Sequence, residues 1–178
     1  MSSSGLDHAG MTSGMDGAAR VVLVCGPAGA GKTTHARALE REGYERLSFD
    51  EEAWQRGYRS HPLPDEAAAE VHAVLAKQLV GLVEEGRDVV VDTSFWSRAS
   101  RDRYRALVAP LGVAVVVHYL DTPREVVLGR LWHRSGGGPH DVIVPPDQAD
   151  AYLAGFEAPT VDEGPLVVVR PDAADERG

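Results

Sequence analysis

The run Gly26-Pro27-Ala28-Gly29-Ala30-Gly31-Lys32-Thr33-Thr34 follows directly on the apolar stretch Val21–Cys25 and constrains the fold more than any other feature of the chain. Its spacing matches G-x-x-x-x-G-K-[ST], and its context is a strand running through a glycine turn into a helix. The glycines let backbone N–H groups turn inward around an anion, Lys32 adds a long flexible cation, and the Thr33 hydroxyl suits Mg²⁺. A helix that starts near Lys32 adds roughly half a positive charge at the same point. The expected guest is a nucleoside triphosphate such as ATP, carried with Mg²⁺. Its expected contacts are Gly26, Ala28, Gly29, Ala30, Gly31, Lys32, Thr33 and Thr34.

The remaining apolar runs, at 89–91, 113–120 and Leu166–Val169, are short, rich in β-branched residues and without strict alternation. Strands buried on both faces of a parallel sheet read this way. A weaker strand is predicted at 46–49. Helical patterns fill the gaps: 33–41, a long amphipathic stretch at 64–85 with Val71, Val74, Leu75, Leu82 and Val83 inward and Gly86 at its end, then 97–109, 123–134 and 147–156. The alternation predicts an α/β sandwich. Ligands in such folds gather beyond the carboxyl ends of the strands, which draws attention to Asp50, Asp92 and Asp121, each just past a predicted strand. Ser135-Gly136-Gly137-Gly138-Pro139 reads either as a lid segment near the nucleotide or as an ordinary connector.

A length of 178 residues suits one domain, expected over 20–171 with a short flexible tail at 172–178. The formal net charge of −9 argues against a protein that coats nucleic acid or an anionic membrane through bulk electrostatics. Residues 1–19, rich in Ser, Gly and Met, lack the apolar core of a secretory signal and read as a disordered leader. The single cysteine, Cys25, reads as a small buried filler, and a reducing cytoplasm fits. No apolar run approaches membrane-spanning length, and no membrane partner is expected. The histidines show no paired metal-ligand spacing, which argues against structural zinc.

Phosphoryl transfer needs an acceptor-orienting base, a carboxylate near the metal and cations for the moving charge. Asp50, at the end of the second predicted strand, is the candidate base, and capping of the following helix is an equal and compatible role for it. Asp92, after Val89-Val90-Val91, is the candidate metal carboxylate, with a turn-forming role as its alternative. Arg130 and Arg134 lie four apart on one helical face and Arg124 six before, so two guanidiniums could meet phosphates, while others pair with neighbours such as Glu125. Trp54, Tyr58, Phe95 and Trp96 follow the two carboxylates and could wall an acceptor pocket or pack in the core.

Taken together, GPAGAGKTT, the LSFDE run ending at Asp50 and Glu51, VVVDTSFWSR around Asp92, Arg130 and Arg134 in RLWHR, and the late FEAP segment resemble the small P-loop kinases of the zeta-toxin, chloramphenicol phosphotransferase and polynucleotide kinase group, often labelled AAA-family ATPases. The likeness runs from about residue 20 to 170. It implies a three-layer P-loop NTPase sandwich with a mostly parallel five-stranded sheet and a helical lid. It further implies Asp50 as acceptor base, Lys32 and Thr33 on phosphate and metal, and Arg130 and Arg134 closing over ATP. Thr93, Trp96 and Arg98 in the VVVDTSFWSR run, with Asp50 and Trp54, are the implied acceptor contacts. Polynucleotide kinases of this group tend to carry an arginine three residues after the base, where this chain has Ala53. Arg56 or Arg59 are the candidate substitutes. The Asn that often follows the Asp-x-Thr element is replaced in Asp92-Thr93-Ser94-Phe95.

The leading expectation is an ATP-dependent kinase for a hydroxyl of a small molecule, whether antibiotic, sugar or nucleoside-like. Two alternatives stand beside it: a polynucleotide 5′-hydroxyl kinase and a nucleotide-dependent switch without an acceptor.

Overall fold

The computed structural model describes residues 18–59, 62–133 and 149–170. Most of the expected leader, the tail at 172–178, Arg134 and the 135–139 glycine run with its lid reading lie outside the described residues. Ala19, at the end of the expected leader, is buried against the core.

Five strands, β1 Val21–Cys25, β2 Glu45–Ser48, β3 Val89–Asp92, β4 Val115–Leu120 and β5 Leu166–Val169, form one sheet in the order β2-β3-β1-β4-β5. All four pairings are parallel. The helices are α1 Lys32–Arg41, α2 Phe49–Gln55, α3 Asp65–Glu84, α4 Arg98–Val108, α5 Arg124–Trp132 and α6 Ala149–Ala154. Period-two alternation splits each central strand between two cores. Val21, Leu23, Val89, Val91 and Val117 face the layer that holds Val71, Leu75 and Leu79 of α3 with Tyr104 and Val108 of α4. Val22, Val24 and Val90 face Ala36 and Leu39 of α1. Strands covered on both faces carry no polar alternation, which is why they are legible as short apolar runs.

Several boundaries shift from those expected. The second strand spans Glu45–Ser48 rather than 46–49, because Phe49 already turns into α2. The fourth begins at Val115, two residues late. In α3 the buried stripe is Ala67, Val71, Leu75, Leu79 and Val83, a run of every fourth residue that leaves Val74 and Leu82 half-buried. The helix ends at Glu84 with Glu85 as its C-cap, and Gly86 then adopts φ +74°, a left-handed conformation that suits glycine.

In register, Ser48, Asp92 and Val24 form one row across β2, β3 and β1. The chain segments that carry the expected chemistry therefore leave the sheet at the same carboxyl edge.

Candidate active site

The phosphate loop is built by three glycines that no other residue would replace easily. Gly26, Gly29 and Gly31 take φ values of +156°, +84° and +98°. A Cβ on Gly29 would lie 3.2 Å from the Val127 carbonyl, so the loop tip is pressed against α5. The loop is held from several sides. The Gly26 N–H donates to the Ser94 carbonyl (3.2 Å), the Thr122 hydroxyl to the Ala30 carbonyl (2.7 Å), and the Arg130 guanidinium to the Gly29 carbonyl (3.1 Å). Lys32 Nζ donates to the Pro27 carbonyl at 3.0 Å, across the loop it terminates. Gly31 in the left-handed region opens α1, which begins at Lys32 rather than Thr33.

A cavity of about 530 Å³ adjoins this loop, lined among others by Gly31, Thr34, His35, Arg41 and Arg130. Its size falls within the usual range for small-molecule sites, and its position beside the α1 N-terminus suits the nucleoside end of a bound nucleotide. Of the three arginines singled out, Arg130 lies at the loop, Arg124 instead pairs with Asp150 on the surface, and Arg134 lies outside the described residues. Arg130 thus bonds the loop and not Glu125.

Beside that cavity His35 Nε2 and His118 Nδ1 lie 2.9 Å apart, a pair that no sequence spacing announces. It forms because His118 shares the α1-facing side of β4. Burial pushes His118 down to about 4, with the His35 charge adding to it, and burial also lowers His35. Both rings are neutral at pH 7, one nitrogen donating and the other accepting. An unfolded histidine takes up its proton near 6.5, before either folded ring does and well before His118. The stability contributed by the neutral pair is therefore complete above that pH and is lost as pH falls toward 4. Thermal melts from pH 7.5 to 4 should show the wild type losing more stability than His118→Asn. Parallel curves would refute the assignment.

On the other side of the loop the structure corrects the reading of Asp50. It does not end β2, and it is not the helix cap. Ser48, with extended backbone, accepts a hydrogen bond from the Glu51 N–H (3.3 Å) and caps α2, which places Asp50 in the first turn with Glu51 and Glu52. Acidic residues are favoured there by the helix dipole. Phe49 packs on His72 of α3 (ring centroids 4.7 Å apart) and Ala53 is buried, so this face of α2 is fixed inward. Asp50 and Trp54, four apart, share an adjacent face. With β3 between β2 and β1, the two chain exits lie about 10 Å apart at ordinary strand spacing.

Asp92 ends β3 inside the strand rather than past it and is buried. It shares the α1-facing side with Val90. Arg46 of β2, its side chain 7% exposed, reaches it at 3.5 Å and binds Glu51 through two contacts of 2.6 and 2.7 Å and Glu40 at 3.3 Å. Burial disfavours the Arg46 charge, and the Glu51 contacts outweigh it, so the guanidinium stays firmly protonated. Arg46 thus ties the candidate base helix to the candidate metal carboxylate. Sequence reading missed it, since its partners at 40, 51 and 92 share no spacing.

The expected acceptor wall divides. Thr93 and Phe95 are buried, Phe95 edge-on to Tyr104 at 5.0 Å. Trp96 is half-buried against Tyr152 and Phe156, with centroids at 4.6 and 5.5 Å. Trp54 carries the Arg59 guanidinium 4.0 Å above its ring. Arg56 pairs with Glu52, and Arg98 pairs with Asp162 at the surface rather than with the residues around Asp50. Asp121 pairs with Arg170 on the β5 side. Arg101, which no motif singles out, is fully buried and grips Glu163.

The family model described as AAA domain matches residues 21–159. The chain belongs to that family. Within it the chain is a small P-loop kinase, a phosphotransferase with an alcohol group as acceptor. This kinase is 29% identical over 156 residues to the "Probable gluconokinase" of Schizosaccharomyces pombe, covering 84% of the chain and 78% of that protein. An unliganded sugar kinase from Janibacter sp. HTCC2649 aligns at 29% identity and TM-score 0.60 over 85% of both chains. A gluconokinase from Sinorhizobium meliloti 1021 aligns at 25% identity and TM-score 0.58, covering 86% of the kinase and 83% of that chain. Among the described residues no helix is long and apolar enough to cross a membrane.

Proposed function

We propose that the kinase transfers the γ-phosphoryl group of ATP to a hydroxyl of a small polyhydroxylated acceptor, with sugar acids of the gluconate type as the first candidates. The observation that carries this reading is the placement of Asp50 and Trp54 on one face of α2, across β3 from the phosphate loop, with the Arg59 guanidinium stacked on Trp54. That arrangement offers a base for a hydroxyl, an apolar plate for a carbon chain and a cation for a carboxylate. The similar gluconokinases and sugar kinase support the acceptor class.

In this reading Asp50 takes the acceptor's proton as its oxygen bonds to the γ-phosphorus, the bond to the β-γ bridging oxygen breaks, and ADP leaves. Lys32, loop amides such as those of Gly29 and Gly31, and Arg130 hold the phosphates. The Thr33 hydroxyl and the buried, Arg46-paired Asp92 carboxylate are hard oxygen donors of the kind Mg²⁺ takes, directly or through water. The ion would supply charge neutralisation at the phosphates when bound. Ala53, buried on the inner face of α2, leaves no cation where an acceptor phosphate of a nucleic-acid end would be held. A cytoplasmic location suits ATP chemistry and a lone cysteine that burial pushes up to about 11.

Incubation with γ-labelled ATP and a panel of gluconate, other hexonates, hexoses, nucleosides and a 5′-hydroxyl RNA oligonucleotide tests this directly. Label is expected on a sugar acid. Label on the oligonucleotide alone, or release of phosphate with every acceptor, would overturn it.

A further inference from the structure

Tyr152 belongs to no motif in the sequence, yet it touches both the phosphate loop and Trp96. Its hydroxyl accepts a hydrogen bond from the Ala28 N–H at 3.0 Å, on the tip of the phosphate loop. Its ring lies 4.6 Å from that of Trp96, one of the expected acceptor contacts. The contact is part of a wall rather than a plug. Ala28 packs in an apolar cluster with Val127 and Leu131 of α5 and Ala149 of α6, and Tyr152 and Leu153 close over that cluster. At the far end of α6, Gly155 lies against the Trp96 indole, where a Cβ would stand 3.6 Å from the ring, and the Glu157 N–H donates to the Trp96 carbonyl (3.0 Å). The stretch from Tyr152 to Glu157 is thereby tied to the loop at one end and to Trp96 along the rest.

We propose that Tyr152 is a positioning residue that couples the phosphate loop to the Trp96 wall, so that a nucleotide settling on the loop sets the acceptor side of the site. The physical reason is directional. A hydroxyl bonded to a loop amide moves whenever that amide re-aims toward a phosphate, and a ring packed on Trp96 transmits the shift through contact. Misplacement of about 1 Å in such an assembly is enough to change rates about 100-fold. The inference rests on the proposed donor site and is independent of the acceptor's identity.

The test uses the full chain with Trp54→Phe and Trp132→Phe, which leaves Trp96 as the sole indole of the three in the sequence. AMP-PNP with Mg²⁺ is titrated while Trp96 emission is followed, and calorimetry measures affinity separately. The unmodified Tyr152 protein should bind and show a saturable emission change. Tyr152→Phe, which keeps the ring and removes one neutral hydrogen bond, should lose most of that change while its affinity stays within about 10-fold, the span such a bond accounts for. An undiminished emission change in Tyr152→Phe would overturn the coupling. So would markedly tighter binding, which would make the hydroxyl a plug, or joint loss of affinity, melting temperature and signal, which would make it merely structural. Failure of the Tyr152 protein to bind AMP-PNP at all would remove the donor-site reading with it, whereas binding without a Trp96 response would remove the coupling alone.

Discussion

Asp50→Asn is expected to lower kcat for phosphoryl transfer by about 100- to 10,000-fold, the range that a positioned general base contributes. ADP affinity should stay unchanged, because the phosphate grip lies on the other side of β3. The substitution is nearly isosteric and retains an oxygen acceptor in the first turn of α2. Ser48 still caps that helix, and Phe49 and Ala53 still anchor it, so folding should be preserved. Steady-state transfer to the acceptor found in the labelling panel, measured beside calorimetric ADP binding, separates the two quantities. Transfer that persists at the wild-type rate under saturating ATP would place the base elsewhere. A parallel fall in ADP affinity would mean that Asp50 supports the loop instead of the acceptor.

The second large effect concerns stability. Arg101 lies fully buried with its fork on Glu163, at 2.6 and 2.8 Å, and the Glu163 side chain is only 3% exposed. The same guanidinium donates to the Phe95 carbonyl (3.0 Å) and the Glu157 carbonyl (2.9 Å). Phe95 is the one described non-glycine residue at positive φ, +45°, and such a conformation costs about 1–3 kcal/mol unless its surroundings enforce it. Arg101, together with the Glu157 N–H on the Trp96 carbonyl, joins the 95–96 stretch to the 157–163 segment. Arg101→Met removes the two closest contacts of the Glu163 carboxylate, leaving it Arg105 at 3.4 Å and the Thr160 N–H at 3.3 Å, and takes a donor from two carbonyls, so a loss of about 3–5 kcal/mol is expected. For a chain of this size that is a drop in melting temperature of roughly 6–20 °C. Removing the partner charge as well, in Arg101→Met with Glu163→Leu, should recover part of the loss, since the penalty lies mainly in a buried carboxylate deprived of its closest cation. A single variant as stable as the wild type would show that the pair contributes nothing.

Arg101 and Arg130 illustrate what the sequence could and could not reveal. Both are arginines on amphipathic helices, and nothing in their neighbourhoods distinguishes a solvated side chain from a structural one. The phosphate motif made Arg130 worth singling out, and the structure places it on the Gly29 carbonyl. Arg101 had no motif behind it. Its partners stand 6, 56 and 62 residues away, separations that local pattern does not encode. The same holds for Arg46 among its three carboxylates and for the His35–His118 pair. The misplacement of Asp50 had a different origin. A short strand followed at once by an acidic run has two chemically reasonable caps two residues apart, and only backbone conformation chooses Ser48.

The sequence by itself determined the ligand class, the α/β alternation and the strands at the sheet's centre. Those properties are written in contiguous residues: glycines that free backbone amides, a lysine and threonine at set spacing, and β-branched runs that cannot face water on either side. Tertiary structure alone decided which charges meet, how Tyr152 joins Trp96 to the phosphate loop, and which side of α2 faces inward. Those contacts depend on the order in which parallel strands are laid side by side. Crossover connections bring residues dozens of positions apart within 3 Å, where burial rather than spacing sets the strength of their pairing.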